Sequence, residues 1–232
     1  MNPVFAALDT TDLDRARGLA AAVAPHVGGL KLGLEFFLAQ GLANTAAVAG
    51  TTPLFLDLKL HDIPNTVAGG VRAIAGLKPE FLTIHVGGGS AMMRAAVDAA
   101  AEAAAQTGHR IKLLGVTVLT SLDDGDLDAV GQRGPAADQV RRLALLARAS
   151  GLDGVICSPM EVAALRADLG ADFQLVVPGI RPAGAALGDQ KRVMGPRDAM
   201  AAGASRLVIG RPITEAPDPA AAARAIAAEL AA

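Results

Sequence analysis

The stretch Leu54-Phe55-Leu56-Asp57-Leu58-Lys59-Leu60-His61-Asp62-Ile63-Pro64-Asn65-Thr66 decides how the rest of the chain is read. It opens as a short apolar run, the pattern of a strand buried on both faces, and then acquires charges at its far end. Side chains alternate along a strand, so Asp57 and Lys59 are expected on one face, with Asp62 three residues later on the outgoing loop. A buried strand ending in charges suits a parallel barrel, whose interior is packed and whose active groups gather at the carboxyl ends of its strands.

Seven further strand-like runs accompany it, and the full set covers residues 4–8, 29–32, 54–58, 81–85, 112–118, 154–157, 175–177 and 207–209. Between them lie stretches of helical pattern, among them 12–24, 91–106, 136–150, 159–169 and 196–202. Thr11 or Asp12 and Ser158 stand where helix N-caps belong, and Pro159 occupies a favourable first helical position. Strands alternating with helices call for a parallel sheet covered by helices. Eight strands in 232 residues leave about 29 per unit, enough for a compact (β/α)8 TIM barrel. An open doubly wound α/β sheet is the alternative. No linker, composition break or low-complexity tract divides residues 1–232, which are expected to form one catalytic domain.

Alanine fills 51 positions, while aromatic residues make up 3% and include no Trp or Tyr. This suits closely packed helices and disfavours an all-β sandwich, whose strands enrich aromatics. A net charge of -2 argues against an electrostatic nucleic-acid binder, which needs a basic face. The lone cysteine, Cys157, cannot form an internal disulfide, as suits a reducing compartment. The start, Met1-Asn2-Pro3-Val4-Phe5, carries no basic segment and no signal-length apolar run. Charges such as Asp98, Glu102, Arg224 and Glu229 interrupt the Ala-rich stretches, so none reads as a membrane span. A cytoplasmic protein is expected.

The strand ends bring further charges to the mouth of such a barrel. Strand one leads to Asp9, strand two contains Lys31, and strand three contributes Asp57, Lys59 and Asp62. The chain has 5 lysines against 16 arginines, yet two of those lysines fall on these early strands. One such pair is commonly a structural ion pair, but several charges converging on one mouth point to chemistry. Across the mouth, strand seven runs into Pro178-Gly179-Ile180-Arg181-Pro182 and strand eight into Ile209-Gly210-Arg211-Pro212-Ile213. Barrel enzymes frequently bind phosphate with these two loops. Glycine lets the backbone approach an anion, and arginine can hold two of its oxygens. Residues 179–195, rich in Gly and Pro, form a long irregular segment beside that pocket, as functional loops often are.

The ten residues from Asp57 to Thr66 resemble the signature of the orotidine 5'-phosphate decarboxylase family. The resemblance runs through Ala7-Leu8-Asp9, Lys31-Leu32-Gly33, Val118-Leu119-Thr120-Ser121, the Pro178 to Pro182 segment and Val208 to Ile213. It implies a barrel homodimer that converts orotidine 5'-phosphate to UMP and carbon dioxide, the last step of de novo UMP synthesis, without cofactor or metal. By the same resemblance Lys59 donates the proton to C6 of the pyrimidine, flanked by Asp57 and Asp62. Asp62 and Thr66 would reach into the neighbouring subunit's site. Asp9 and Lys31 would hold the ribose hydroxyls, Thr120 the pyrimidine, and Gln190 the phosphate from the closing loop. Arg181, Gly210 and Arg211 would form the phosphate pocket.

Other residues read as structural. His61 is one position off the face of Lys59, His85 at the end of strand four either approaches the site or supports packing, and His26 and His109 are expected near helix ends, facing solvent. No His/Cys/Asp spacing makes a convincing metal site, and Cys157 reads as a small buried residue. The glycines at 87–89 lack the spacing and acidic partner of a dinucleotide fingerprint. Rival readings are a Mg²⁺-dependent sugar-phosphate decarboxylase or aldolase of the same barrel type, a Schiff-base enzyme using Lys59, and a non-catalytic nucleotide-binding module.

Overall fold

A computed structural model describes residues 2–182 and 194–231. Eight parallel strands follow one another around a closed ring: β1 (Val4–Ala7), β2 (Gly29–Gly33), β3 (Leu54–Leu60), β4 (Phe81–His85), β5 (Lys112–Val116), β6 (Gly154–Ile156), β7 (Gln174–Val177) and β8 (Arg206–Ile209). β1 pairs with β2 on one side and β8 on the other, with Phe5 opposite both Gly29 and Val208, and this closes the ring. The fold is therefore a TIM barrel and not an open doubly wound sheet. The helices around it are α1 (Leu13–Val23), α2 (Leu34–Ala49), α3 (Pro64–Ile74), α4 (Gly89–Thr107), α5 (Asp124–Ala129), α6 (Ala136–Ala149), α7 (Val162–Leu169), α8 (Pro196–Ala201), α9 (Arg211–Thr214) and α10 (Pro219–Ala231).

Local chemistry sets the boundaries of these elements. Asp12 caps α1, its Oδ1 accepting from the backbone N–H of Asp14 at 2.9 Å and of Arg15 at 3.0 Å. The expected helix over 159–169 begins as a 3-10 turn, Pro159–Glu161, before α7 takes over. In α4, Met92, Met93, Ala96, Ala99, Ala100 and Ala103 recur at helical spacing and are buried, which seats the helix on the strands. Alanines at these positions let the helix backbone lie close to the barrel, one use of a fifth-alanine sequence. The strands expected over 112–118 and 154–157 end slightly earlier, at Val116 and Ile156.

Two cores result. The larger lies between strands and helices; the smaller fills the barrel and comprises Phe5, Ala7, Phe55, Phe81, Leu114, Val176 and Val208, with Ile156 packed against it. Three of the chain's six phenylalanines therefore lie inside the barrel, edge to face, with centroids 5.5–6.0 Å apart. Gly29 makes room for them: a Cβ there would come within 2.2 Å of the Phe5 ring and 2.7 Å of the Pro53 carbonyl oxygen. The phenylalanines fill the barrel beneath its mouth, so the polar groups above them stand over an apolar floor.

Candidate active site

Four charges form a continuous row across one side of the mouth. Lys31 Nζ lies 2.8 Å from Asp9 Oδ1 and 3.8 Å from Asp57 Oδ2, and Lys59 Nζ lies 2.7 Å from the same Asp57 oxygen. Asp9 follows β1, Lys31 rises from β2, and Asp57 and Lys59 both belong to β3, so three neighbouring strands align the row. The Lys31 side chain is 11% exposed and that of Asp57 14%, so these charges are largely removed from water. Burial pushes the Asp57 carboxyl up, but Lys31 and Lys59, with hydrogen bonds from Lys59 and Thr83, hold it below the usual carboxylate value. Asp57 is therefore a carboxylate at neutral pH.

Lys59 reaches the mouth by a distortion of the strand. The register between β3 and β4 shifts between Leu56 and Leu60, and Lys59 has a φ of +50°, a conformation that costs a non-glycine residue about 1 kcal/mol. The partner that holds this conformation is Thr83 on β4, absent from the sequence-based set. Its hydroxyl accepts from the Lys59 backbone N–H at 2.9 Å and donates to Asp57 Oδ1 at 2.8 Å. The signal was present: Thr83 is the one hydroxyl residue in Phe81-Leu82-Thr83-Ile84-His85 and shares the inward face of Phe81.

A cavity of about 250 Å³ opens above the phenylalanine floor, small enough for one small molecule. Asp9, Lys31, Asp57 and Lys59 line one side, and Thr120, Gly179, Arg181, Gly210 and Arg211 line others. Ala7, Phe55, Val116, Ile156 and Val208 supply an apolar base that the sequence reading left out. Gly179 has a φ of +76°, which turns the chain out of β7 in a conformation glycine tolerates freely. The arm carrying Arg181 is tied down by a parallel bridge between Ile180 and Met194, with Arg181 N–H donating to the Met194 carbonyl at 3.0 Å. This arrangement can hold a flat, partly apolar ring above the floor, an anion at the arginine side and a reacting centre beside Lys59.

Two expected residues stand apart from this cavity. Asp62 is exposed, its Oδ1 accepting from the Ile63 backbone N–H at 2.6 Å, and Thr66 is exposed in the first turn of α3. Gln190 lies outside the described residues. His61 packs against His85 with ring centroids 5.2 Å apart, and neither lines the cavity. Burial, then His61 and Lys59, holds the His85 imidazole below the usual histidine value against a smaller opposing pull from Asp57. His26 and His109 are half-buried instead of facing solvent, because the His109 ring bonds to the Pro79 carbonyl oxygen at 2.9 Å and His26 packs near Arg224. Cys157 touches the cavity but is buried, and burial pushes its thiol far up, away from nucleophilic use. Among the described residues, no three His, Cys, Asp or Glu side chains gather as metal ligands, and no helix is long and apolar enough to cross a membrane.

Reactive charges at the carboxyl ends of parallel strands, over an apolar floor, define this chain as a (β/α)8-barrel enzyme. Its sequence places it more narrowly: the chain belongs to the orotidine 5'-phosphate decarboxylase / HUMPS family, which matches residues 2–226. It is 58% identical over 230 residues to an orotidine 5'-phosphate decarboxylase of Thermobifida fusca, covering 98% of this chain and 95% of that one. It is 57% identical over 232 residues to that of Rhodospirillum rubrum, covering 99% and 94%. The crystal structure of orotidine 5'-phosphate decarboxylase from Lactobacillus acidophilus superposes with a TM-score of 0.88 at 42% identity, covering all of both chains.

Proposed function

We infer that this chain is a carboxy-lyase that converts orotidine 5'-phosphate to UMP and carbon dioxide in pyrimidine biosynthesis, the whole barrel acting as one catalytic unit. The observation that carries the reading is the Asp9–Lys31–Asp57–Lys59 row facing an arginine-lined cavity, in a chain 58% identical to an enzyme of that name.

In this reading Arg181 and Arg211 hold the phosphate with the backbone at Gly179 and Gly210, and Gln190 is assigned to the same phosphate. Asp9 and Lys31 bind the ribose hydroxyls, and Thr120 meets the pyrimidine, which lies on the apolar base. The substrate carboxylate then sits beside Asp57 and Lys59. The bond from C6 to the carboxylate breaks, carbon dioxide departs, and the electron pair stays on C6. The Lys59 ammonium stabilises that pair as it develops and transfers its proton to C6, and water later reprotonates the amine. Opposite unit charges about 4 Å apart attract by about 4 kcal/mol at an effective dielectric of about 20, and each 1.4 kcal/mol is tenfold in rate. An attraction that grows only as charge develops is thus worth several orders of magnitude. Repulsion between Asp57 and the substrate carboxylate is a secondary contribution.

Asp62 and Thr66 complete the site of a second copy in a two-fold dimer. Two features support this. Asp62 is exposed beyond β3, away from its own cavity, and the next residue, the apolar Ile63, is 67% exposed. The test of the activity is direct. Purified protein is mixed with orotidine 5'-phosphate in excess EDTA, and loss of substrate absorbance and formation of UMP are followed. Turnover under chelation is expected; activity that vanishes with EDTA and returns with Mg²⁺ would move the chain to the metal-dependent reading.

A further inference from the structure

We propose that Thr83 is a positioning residue for this chemistry: by gripping the Asp57 carboxylate and the Lys59 backbone at once, its hydroxyl fixes where the Lys59 ammonium stands. The inference rests on the reading of Lys59 as proton donor. Thr83 is fully buried in β4, so its hydroxyl has no water to turn to. It has one hydrogen to give and lone pairs to receive with, and both roles are filled, toward Asp57 Oδ1 at 2.8 Å and from Lys59 N–H at 2.9 Å. The second bond falls at the residue where the β3 register slips and φ becomes positive, so it holds the backbone turn that aims the side chain. The first bond occupies one oxygen of Asp57 and leaves the other to Lys59 at 2.7 Å and Lys31 at 3.8 Å. A single hydroxyl thereby couples backbone and side chain of the reacting pair. Thr83 does not line the cavity, so its effect passes through Asp57 and Lys59.

Thr83→Val keeps the shape and removes both bonds, while Thr83→Ser keeps the hydroxyl and removes a methyl. In Thr83→Val, kcat is expected to fall about ten- to a hundredfold with KM within about threefold of wild type, since buried partners lose a bond but the binding contacts remain. Thr83→Ser should recover most of kcat. A second readout does not depend on turnover: the ¹³C resonance of the Asp57 carboxyl, assigned by its loss in Asp57→Asn. This carboxyl faces Lys31 on β2, Lys59 on its own strand and Thr83 on β4, with Asp9 beyond Lys31. It should titrate at higher pH in Thr83→Val than in wild type or Thr83→Ser. Wild-type kcat in Thr83→Val, a defect carried by KM alone, or a Thr83→Ser variant as impaired as Thr83→Val would overturn the proposal. A wild-type protein that does not turn over orotidine 5'-phosphate would instead overturn the decarboxylase reading. In that case the resonance decides on Thr83: an Asp57 titration unchanged in Thr83→Val rejects its role.

Discussion

Lys31 Nζ stands between two carboxylates, 2.8 Å from Asp9 and 3.8 Å from Asp57, and so ties the end of β1 to the end of β3 through β2. With its side chain 11% exposed, this ammonium depends on both partners for its solvation. Lys31→Ala would leave the Asp57 carboxylate with one cation in place of two. We expect kcat/KM for orotidine 5'-phosphate to fall at least a hundredfold, about 3 kcal/mol or more, with the ¹³C titration of Asp57 moved upward. An unchanged Asp57 titration in that variant would contradict the coupling.

The opposite pole should separate binding from chemistry. Arg211→Ala removes a cation from the phosphate side of the cavity while the lysine and aspartate row stays intact. Steady-state kinetics should show kcat/KM lowered about ten- to a hundredfold, and calorimetry should show UMP bound more weakly by a similar factor. Uridine, which lacks the phosphate, should bind both proteins alike. An equal loss for uridine would mean that Arg211 acts on the fold and not on the phosphate.

Stability should fall on the acid side in two stages. The folded state holds His85 below the usual histidine value, so between that lowered value and about 6.5 the unfolded chain binds the extra proton. That contribution is present above about pH 6.5 and is lost as the pH falls toward the folded value. Asp57 is likewise depressed, so its contribution is present above about pH 4 and is lost below that. Urea midpoints measured from about pH 8 down to about pH 2 should decline below about pH 6.5 and again below about pH 4, with the upper part of the decline reduced in His85→Gln. Midpoints that rise as the pH falls from 7 to 5.5 would contradict this.

The barrel floor makes a stability prediction of its own. Gly29→Ala forces a methyl against the Phe5 ring and the Pro53 carbonyl, and the backbone atom cannot swing aside as a side chain could. Equilibrium unfolding should show a loss of about 1–3 kcal/mol. A variant as stable as wild type would mean that the three-phenylalanine layer is looser than its edge-to-face packing indicates.

A mixed dimer tests the shared site. Lys59→Ala chains and Asp62→Ala chains are each expected to be inactive alone. If Asp62 serves the partner, random exchange makes about half the dimers mixed, each with one intact site, and recovers about a quarter of wild-type activity. Exchange confirmed by mass with activity still at background would assign Asp62 to its own chain.

Much of this was legible in the sequence, for identifiable reasons. Short apolar runs at regular intervals marked the strands, and the charges following them marked the mouth, because a packed barrel tolerates charge only at its ends. Asp9, Lys31, Asp57 and Lys59 accordingly meet, and Arg181, Gly210 and Arg211 line the same cavity. What alternation alone could not reveal was the means. Lys59 arrives through a register slip and a positive φ, which depend on the neighbouring strand, and Thr83, which holds it there, lies 24 residues away. The phenylalanine floor was equally hidden, since a strand buried on both faces does not say which residues point inward until the ring closes.

The central claim, that the Lys59 ammonium supplies the proton to the carbon that loses carbon dioxide, is tested most directly by comparing wild type with Lys59→Ala under chelation. Carbon dioxide release from orotidine 5'-phosphate and UMP affinity are measured on the same preparations. Wild type should release carbon dioxide, whereas Lys59→Ala should release none above the uncatalysed rate yet still bind UMP, because its phosphate and ribose contacts remain. A Lys59→Ala protein that turns over at near-wild-type rate would contradict the account.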